Sequence, residues 1–253
     1  MNRIDGVENI TEHIVQRSVN SSIIIFDIIA VIVWIGCLLY TKQYRPFYFC
    51  IIGLVVYYIV DAIIWMKFMG VRWIESKYNP YLLEIWLQLG PGVIHPSFAV
   101  LMLEGTFGPK RAEVKREFWV LLFILVQFTP CFLQQSFKFS DTIQVGRNMQ
   151  SQRWLFLVLA ILGYFYLIQQ KMSVSNLWKM FLICFAVEGC FELSLYISDI
   201  RVASLKTMIV DSVLEFNVGA GLIFYLWKCM IPKSERVHMD YGQNSEIDLD
   251  KKV

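Results

Sequence analysis

Carboxylic acids inside long apolar segments are the residues of this sequence best suited to chemistry. A charged group in the middle of a bilayer costs at least about 2.5–3.5 kcal/mol, so such acids usually have a function. No lysine or arginine lies deep in the same segments to pair with them. The seven acids are Asp27, Asp61, Glu84, Glu188, Glu192, Asp211 and Glu215. Crowding carboxyl groups in apolar surroundings favours retention of a proton by at least one of them, which makes it a proton donor.

The spacing of four of these acids places them on shared helix faces. Glu188 and Glu192 are four residues apart, and so are Asp211 and Glu215. Residues at this spacing lie on the same side of a helix. Each pair therefore predicts a helix that presents two carboxylates in one direction.

A second polar stripe runs along the segment that contains Glu84. Gln88 and His95 follow Glu84 on one face of the predicted helix. The same segment contains Pro91 and Pro96, which lack amide donors and are expected to kink the helix or open its hydrogen-bond ladder. Carbonyl groups freed in this way must face a polar cavity or protein partners.

The acids are also predicted to lie at a similar depth in the membrane. Counted from the helix ends, every acid except Glu188 falls in the outer half of the predicted membrane, with Glu188 nearer the middle. The sequence therefore predicts an outward-open acidic pocket between helices 2, 3, 6 and 7, with aromatic side chains in its wall. The predicted pocket residues, besides Asp61 and Glu215, are Glu84, Gln88, His95, Glu188, Glu192, Asp211, Asn217, Tyr58 and Trp65. An alternative is that the acids are wetted at the interface or paired with Arg72, Arg201 and Lys206 of the outer connections.

The elements that must position these residues are transmembrane helices. The composition is 57% apolar and 17% charged, with a mean hydropathy of +0.51, and the apolar segments have the length needed to cross a bilayer. They are apolar on every face, which excludes a transmembrane barrel. The fold class expected is all-α, a polytopic membrane protein with seven helices. The predicted spans are 22–41, 47–67, 81–103, 118–135, 154–170, 178–198 and 207–231.

Basic residues in the connections predict the orientation. The connection at 108–117 contains Lys110, Arg111, Lys115 and Arg116, and positive charge favours the cytoplasmic side. The N-terminus is therefore expected outside and the C-terminus in the cytoplasm. We expect three parts, namely a polar N-terminal segment at 1–21 that is not a cleaved signal peptide, the bundle at 22–231 and a disordered charged tail at 232–253.

Several function classes are disfavoured by the sequence. A net charge of +2 and the lack of a Gly-rich phosphate loop argue against nucleic acid or nucleotide partners. The six cysteines and three histidines do not have zinc-ligand spacing, and we expect no metal or other cofactor. No GxSxG motif predicts a serine nucleophile. Retinal binding is also unexpected, because the seventh helix has basic residues only at its ends.

The acids of the second and seventh helices lie in the sequences YYIVDAIIW (57–65) and DSVLEFNVG (211–219). This pattern resembles the seven-helix integral membrane terpene cyclases of fungal meroterpenoid and indole-diterpene pathways. Those proteins carry one acid on each of these two helices, thought to protonate an epoxide or olefin without a metal. The family usually has Glu after Trp on helix 2 and often Asp on helix 7, whereas here the two acids are exchanged and no Trp precedes Asp61.

The resemblance implies acid-initiated cyclisation or isomerisation of an isoprenoid-like, lipid-soluble substrate. Asp61 or Glu215 would then be the general acid, and the other carboxylate or Glu192 would orient it and receive the final proton. Two other hypotheses fit the same acids. One is a proton- or cation-coupled transporter of a small molecule, and the other is a non-catalytic membrane protein that binds a ligand or acts as a scaffold.

Overall fold

The computed structural model describes residues 14–108, 114–137, 141–149, 152–202 and 205–236, without the side chains of 202–207. Of the residues that the structure describes, 76% are helical. Seven helices are long and apolar enough to cross a membrane, as the sequence predicts. These spans are Ile23–Tyr40, Tyr44–Phe68, Pro80–Phe107, Arg116–Ser136, Gln152–Gln169, Val174–Ile197 and Met208–Met230.

Within the described residues the seven spans contain nine α-helices, because the third and seventh spans are each divided in two, and a tenth short helix follows the last span. The helices are α1 (Ile23–Tyr40), α2 (Tyr44–Tyr58), α3 (Pro80–Leu87), α4 (His95–Phe107), α5 (Arg116–Ser136), α6 (Gln152–Gln169), α7 (Val174–Ile197), α8 (Leu205–Leu214), α9 (Ala220–Met230) and α10 (Lys233–Arg236). The second span continues α2 as a π-helix at Ile59–Phe68, and a 3-10 turn at Asn217–Gly219 joins α8 to α9.

A small antiparallel sheet covers one end of the bundle, and the all-α prediction did not include it. Its strands are β1 (Ile14–Asn20), β2 (Arg72–Glu75), β3 (Thr142–Asn148) and β4 (Arg201–Val202). Their spatial order is β2-β3-β1-β4, so β1 and β3 form the centre. Along β1, Val15 and Val19 are buried while the residues between them are less so, which is the alternation of a strand with one face toward a core.

The third span has the break that its prolines predict. Asn79 caps its start by accepting hydrogen bonds from the Tyr81 and Leu82 amides. A π-helical turn at Leu89–Ile94 then separates α3 from α4, in the region where Pro91 and Pro96 have no amide to donate to the carbonyl four residues earlier.

The second and third spans approach each other most closely beside this break. A Cβ atom at Gly53 would overlap the carbonyl oxygen of Gly92. Only a residue without a side chain leaves room for the two backbones at this distance. The contact holds the π-helical turn against α2. It therefore holds Asp61 of the second span next to Glu84 of the third span.

The end of the bundle opposite the sheet has its own buried ion pair. Glu104 accepts hydrogen bonds from Arg45 Nη1 and from Trp227 Nε1, both at 3.0 Å. Trp34, Trp119 and Trp227 are fully buried nearby in the main core. Glu104 therefore has its own hydrogen-bond partners, and they lie far from the sheet.

The outer sides of the bundle are apolar. Ile32 is 64% exposed and Trp154 is 72% exposed, and apolar surface of this kind on long helices is typical of contact with lipid. Of the predicted terminal segments, 14–20 form β1 and 233–236 form α10. Residues 1–13 and 237–253 lie outside the described part of the chain.

Candidate functional site

Each strand of the sheet contributes one arginine to the face that covers the bundle. Arg72 pairs with Arg147 across β2 and β3, and Arg17 pairs with Arg201 across β1 and β4. Val15 pairs with Arg147 in the register of β1 and β3. Because Val15 and Arg17 are two residues apart, the four arginines share one face.

The carboxylates of the second and third spans bind Arg72. Its Nη2 and Nε lie 2.7 and 3.0 Å from the two oxygens of Glu84, and its Nη2 lies 3.3 Å from Asp61 Oδ2. Gln88 Nε2 donates to Asp61 Oδ2 at 2.9 Å and also to Glu84. Burial alone would lower the pKa of Arg72, but Asp61 and Glu84 raise it above its usual value. Arg72 is therefore a fixed cation between two helices.

The seventh span is held in the same way. Glu215 forms an ion pair with Arg147, whose guanidinium carbon lies 4.7 Å from the centre of the Trp65 ring. This places Trp65 of the second span against the same cation.

Two arginines share Glu192 of the sixth span. Arg201 Nε donates to Glu192 Oε2 at 2.6 Å, and Arg17 Nη2 lies 4.0 Å from Glu192 Oε1. Burial lowers the pKa of Arg17 to about 10, and burial together with Arg17 lowers the pKa of Arg201 well below its usual value. In both cases loss of hydration lowers the pKa most, and a neighbouring guanidinium lowers it further, Arg72 for Arg17 and Arg17 for Arg201.

The other predicted pocket residues have separate partners. Asp211 binds Arg153 Nε at 3.2 Å. Asn217 accepts a hydrogen bond of 2.6 Å from the Tyr164 hydroxyl and donates to a carbonyl of its own helix. Tyr58 is half-buried, and no hydrogen bond or ring contact to it is formed within the described part of the chain.

The acids are covered rather than open to the outside. Glu84, Glu192 and Asp211 are at most 1% exposed, and Asp61 is 6% exposed. The sequence predicts a pocket that is open outward, but the sheet covers these acids. Arginines of the sheet pair with the acids beneath it. Pairing with Arg72 and Arg201 was the alternative interpretation and is what the structure contains, whereas the side chain of Lys206 lies outside the description. Asp61 and Glu215 are therefore each held by an arginine of the sheet, Arg72 and Arg147 respectively.

His95 and Glu188 form a second, deeper centre. His95 Nδ1 lies 3.7 Å from Glu188 Oε2, and neither ring nitrogen of His95 has a hydrogen bond. Three phenylalanine rings lie at steep angles to the imidazole, with centroids 5.0 Å away for Phe191, 5.9 Å for Phe123 and 6.0 Å for Phe216. The arrangement places an imidazole–carboxylate pair among aromatic rings.

An apolar groove of about 710 Å³ lies on the side of the bundle between α5 and α7. Phe123 lines this groove and also contacts His95. Gly189 and Leu193 of α7 lie on the opposite wall, and Ser212 is one of its few polar residues. The groove is of the size that holds a small-molecule ligand, and a single ring separates it from the His95 imidazole.

Sequence reasoning missed Arg17, Arg147 and Arg153 as partners of the acids. All three lie outside the spans that the sequence predicts, where neighbouring apolar segments give no information about contacts. The sequence of β1 contains a weak signal, because Val15, Arg17 and Val19 occupy every second position. This spacing places Arg17 on the same face of a strand as the two valines. Among the described residues no group of histidine, cysteine or acidic side chains has the arrangement of a metal site.

No family model matches the chain, and no curated protein or solved structure is significantly similar to it. The function must therefore be argued from the chemistry of these two centres.

Proposed function

We propose that this chain is an integral membrane enzyme that starts cyclisation or isomerisation of an isoprenoid-like, lipid-soluble substrate by proton transfer. The observation that carries the proposal is the position of His95. It is paired with Glu188, enclosed by three aromatic rings and separated by Phe123 from an apolar groove of about 710 Å³. A hydrocarbon substrate in the bilayer reaches such a groove without crossing water.

The protonated imidazole of His95 is the proposed general acid. Glu188 balances its charge, and rotation of the Phe123 ring brings a substrate in the groove within reach. An epoxide is the favoured reacting group, because opening its strained ring needs a weaker acid than protonation of an olefin. The proton moves to the epoxide oxygen, which also receives the electron pair of the breaking carbon–oxygen bond. The carbon left behind becomes a cation, which the rings of Phe191 and Phe216 stabilise.

Asp61 and Glu215 are the proposed proton acceptors. An olefin of the same substrate attacks the cation and closes a ring, and a carbon-bound proton is then lost to one of these carboxylates. The proton returns to His95 before the next turnover, so the product is an isomer of the substrate. The resemblance to membrane terpene cyclases supports the participation of these two acids, and our proposal differs from it in giving them the role of bases rather than that of the first acid.

We also propose the orientation predicted by the basic residues. The sheet and its arginines lie on the outer side, and α10 lies in the cytoplasm. In this orientation the sheet seals the reacting centre from the external water, and exclusion of water protects a carbocation from being captured as an alcohol.

The test compares lipid extracts from cells that express the wild type or single variants and are fed with prenylated epoxides. A product isomeric with its precursor is expected from the wild type and is lost in His95→Gln and Glu188→Gln. Glu104→Gln is the matched control, because Glu104 is also buried and paired with an arginine but lies at the opposite end. Unchanged product from a folded His95→Gln protein contradicts the proposal.

A second candidate function is proton- or cation-coupled transport of a small molecule. The layer of arginine–carboxylate pairs beneath the sheet favours it, because such a layer resembles a closed gate and intramembrane acids mark ion pathways. The two functions predict different observations. Transport depends on the ion gradient and leaves the molecule unchanged, whereas the enzyme gives a new product without a gradient.

A further inference from the structure

A small cavity of about 50 Å³ lies beneath β1, apart from the groove. It is bounded by α1, the broken third span, α5 and α7, and it is partly open. Its polar lining consists of Asp27, Arg17 and Gln127, and the rings of Trp86 and Phe191 form part of its wall. Phe191 also contacts His95, so the cavity adjoins the proposed proton donor.

Asp27 differs from the other six acids of the spans. Its Oδ2 accepts a hydrogen bond of 2.8 Å from Trp86 Nε1. It forms no ion pair within the described part of the chain, whereas the other six each have a basic partner. Asp27 therefore offers acceptor capacity to the cavity that no arginine occupies.

Gln127 faces the same cavity with an unmet donor. Its side chain is 5% exposed, and its Nε2 has no hydrogen-bond partner. A buried amide without a partner destabilises the fold, because it has lost its hydrogen bonds to water. A ligand that accepts a hydrogen bond from Gln127 recovers this cost, which gives the cavity a preference for polar groups.

Charges of both signs decide which polar group fits. Arg17 disfavours a cation and Asp27 disfavours an anion, so a neutral group is preferred. A hydroxyl accepts one hydrogen bond from Gln127 Nε2 and donates one to Asp27, which satisfies both residues. The rest of the wall is apolar and includes Val31 and Val126.

We propose that this cavity binds the hydroxyl end of a membrane-soluble alcohol. On the same measure a water molecule needs about 10–15 Å³, so a cavity of about 50 Å³ holds a hydroxyl and its first carbons but no complete isoprenoid. The inference deepens the proposed function by naming the polar group of its substrate class. Binding is measured without turnover, so the two proposals fail separately.

The experiment uses the purified full chain in lipid nanodiscs, with farnesol and with farnesene, its hydrocarbon counterpart. Unfolding temperature is measured as each compound is titrated. Farnesol is expected to stabilise the wild type at lower concentration than farnesene does. Gln127→Leu is expected to weaken farnesol binding about tenfold and leave farnesene unchanged. Thr129→Val on the same helix is the control, because Thr129 is exposed and does not line the cavity.

Two further variants keep the test decisive if Gln127→Leu does not fold. Gln127→Met has a similar volume and lacks the amide donor, and Asp27→Asn presents a donor where the carboxylate offers an acceptor. Both are expected to lose the preference for farnesol. The proposal is overturned if the wild type does not distinguish farnesol from farnesene, or if the preference persists in these folded variants. Farnesol binding without conversion of any prenylated epoxide refutes the enzyme alone.

Discussion

Arg72 and Arg147 lie directly opposite each other in the register of β2 and β3, yet they bind different helices. Arg72 binds Asp61 and Glu84, while Arg147 binds Glu215. Like charges at cross-strand positions repel, so the carboxylates below are what allows this pair to exist. The sheet and the acids are thus one electrostatic unit that joins the second, third and seventh spans.

Removing Arg72 tests this unit. Arg72→Met leaves two buried carboxylates without their cation, and breaking a buried pair costs about 3–5 kcal/mol. The variant is expected to unfold at a clearly lower temperature than the wild type in detergent, and Arg72→Met combined with Glu84→Leu is expected to recover part of the loss. Equal unfolding temperatures for Arg72→Met and wild type would show that these ion pairs do not stabilise the bundle.

The close approach of the second and third spans gives a second prediction. Gly53→Ala places a methyl group against the Gly92 carbonyl and the Pro96 ring, and overpacking of this kind costs about 1–3 kcal/mol. Gly36→Ala is the control, because nothing lies near that position. Thermal unfolding should be lowered by the first change and not by the second. A stable Gly53→Ala protein would mean that the two helices are further apart.

The groove predicts a separation of activity from stability. Gly189 lines the groove, and its nearest side-chain neighbours are 3.9 Å or more from an added Cβ. Gly189→Phe should therefore fold and fill the groove, reducing turnover of a prenylated epoxide by more than about tenfold. Gly36→Phe, on an exposed face of α1, should retain wild-type turnover. Full activity in Gly189→Phe would exclude the groove as the substrate site.

Orientation is tested by labelling single cysteines in a cysteine-free background. Thr142 at the start of β3 and Ser234 in α10 are both exposed and lie at opposite ends of the bundle. In intact cells, a membrane-impermeant maleimide is expected to label Thr142→Cys and to leave Ser234→Cys unlabelled until the cells are opened. The reverse pattern would place the sheet in the cytoplasm.

The seven spans were predictable because a long apolar segment has few alternatives in a bilayer. The first was expected at 22–41 and is observed at Ile23–Tyr40, and the third extends from 81–103 to Pro80–Phe107. The break beside Pro91 was also predictable, since a missing amide acts locally. These features depend on residues close together in the sequence.

The sheet was not predictable in the same way. Ile14 pairs with Asn148 and Arg17 with Val145, so its pairing joins segments far apart in the chain. The strands are short, and polar and apolar residues are mixed along them. From the sequence alone they resemble polar connections between the spans. The acids could therefore be found from the sequence, but most of their arginine partners could not, because those partners come from segments far away in the chain. His95 was identified within its stripe, although its aromatic surroundings depend on three different helices.

The most direct test of the central claim is conversion by the purified chain in nanodiscs, where no ion gradient exists. A prenylated epoxide is incubated with the wild type, His95→Gln and Glu104→Gln, and the products are measured by mass spectrometry. The account predicts an isomer of the substrate from the wild type and Glu104→Gln, and its loss in His95→Gln. Equal conversion by folded His95→Gln, or no conversion by the folded wild type across prenylated epoxides, would contradict it.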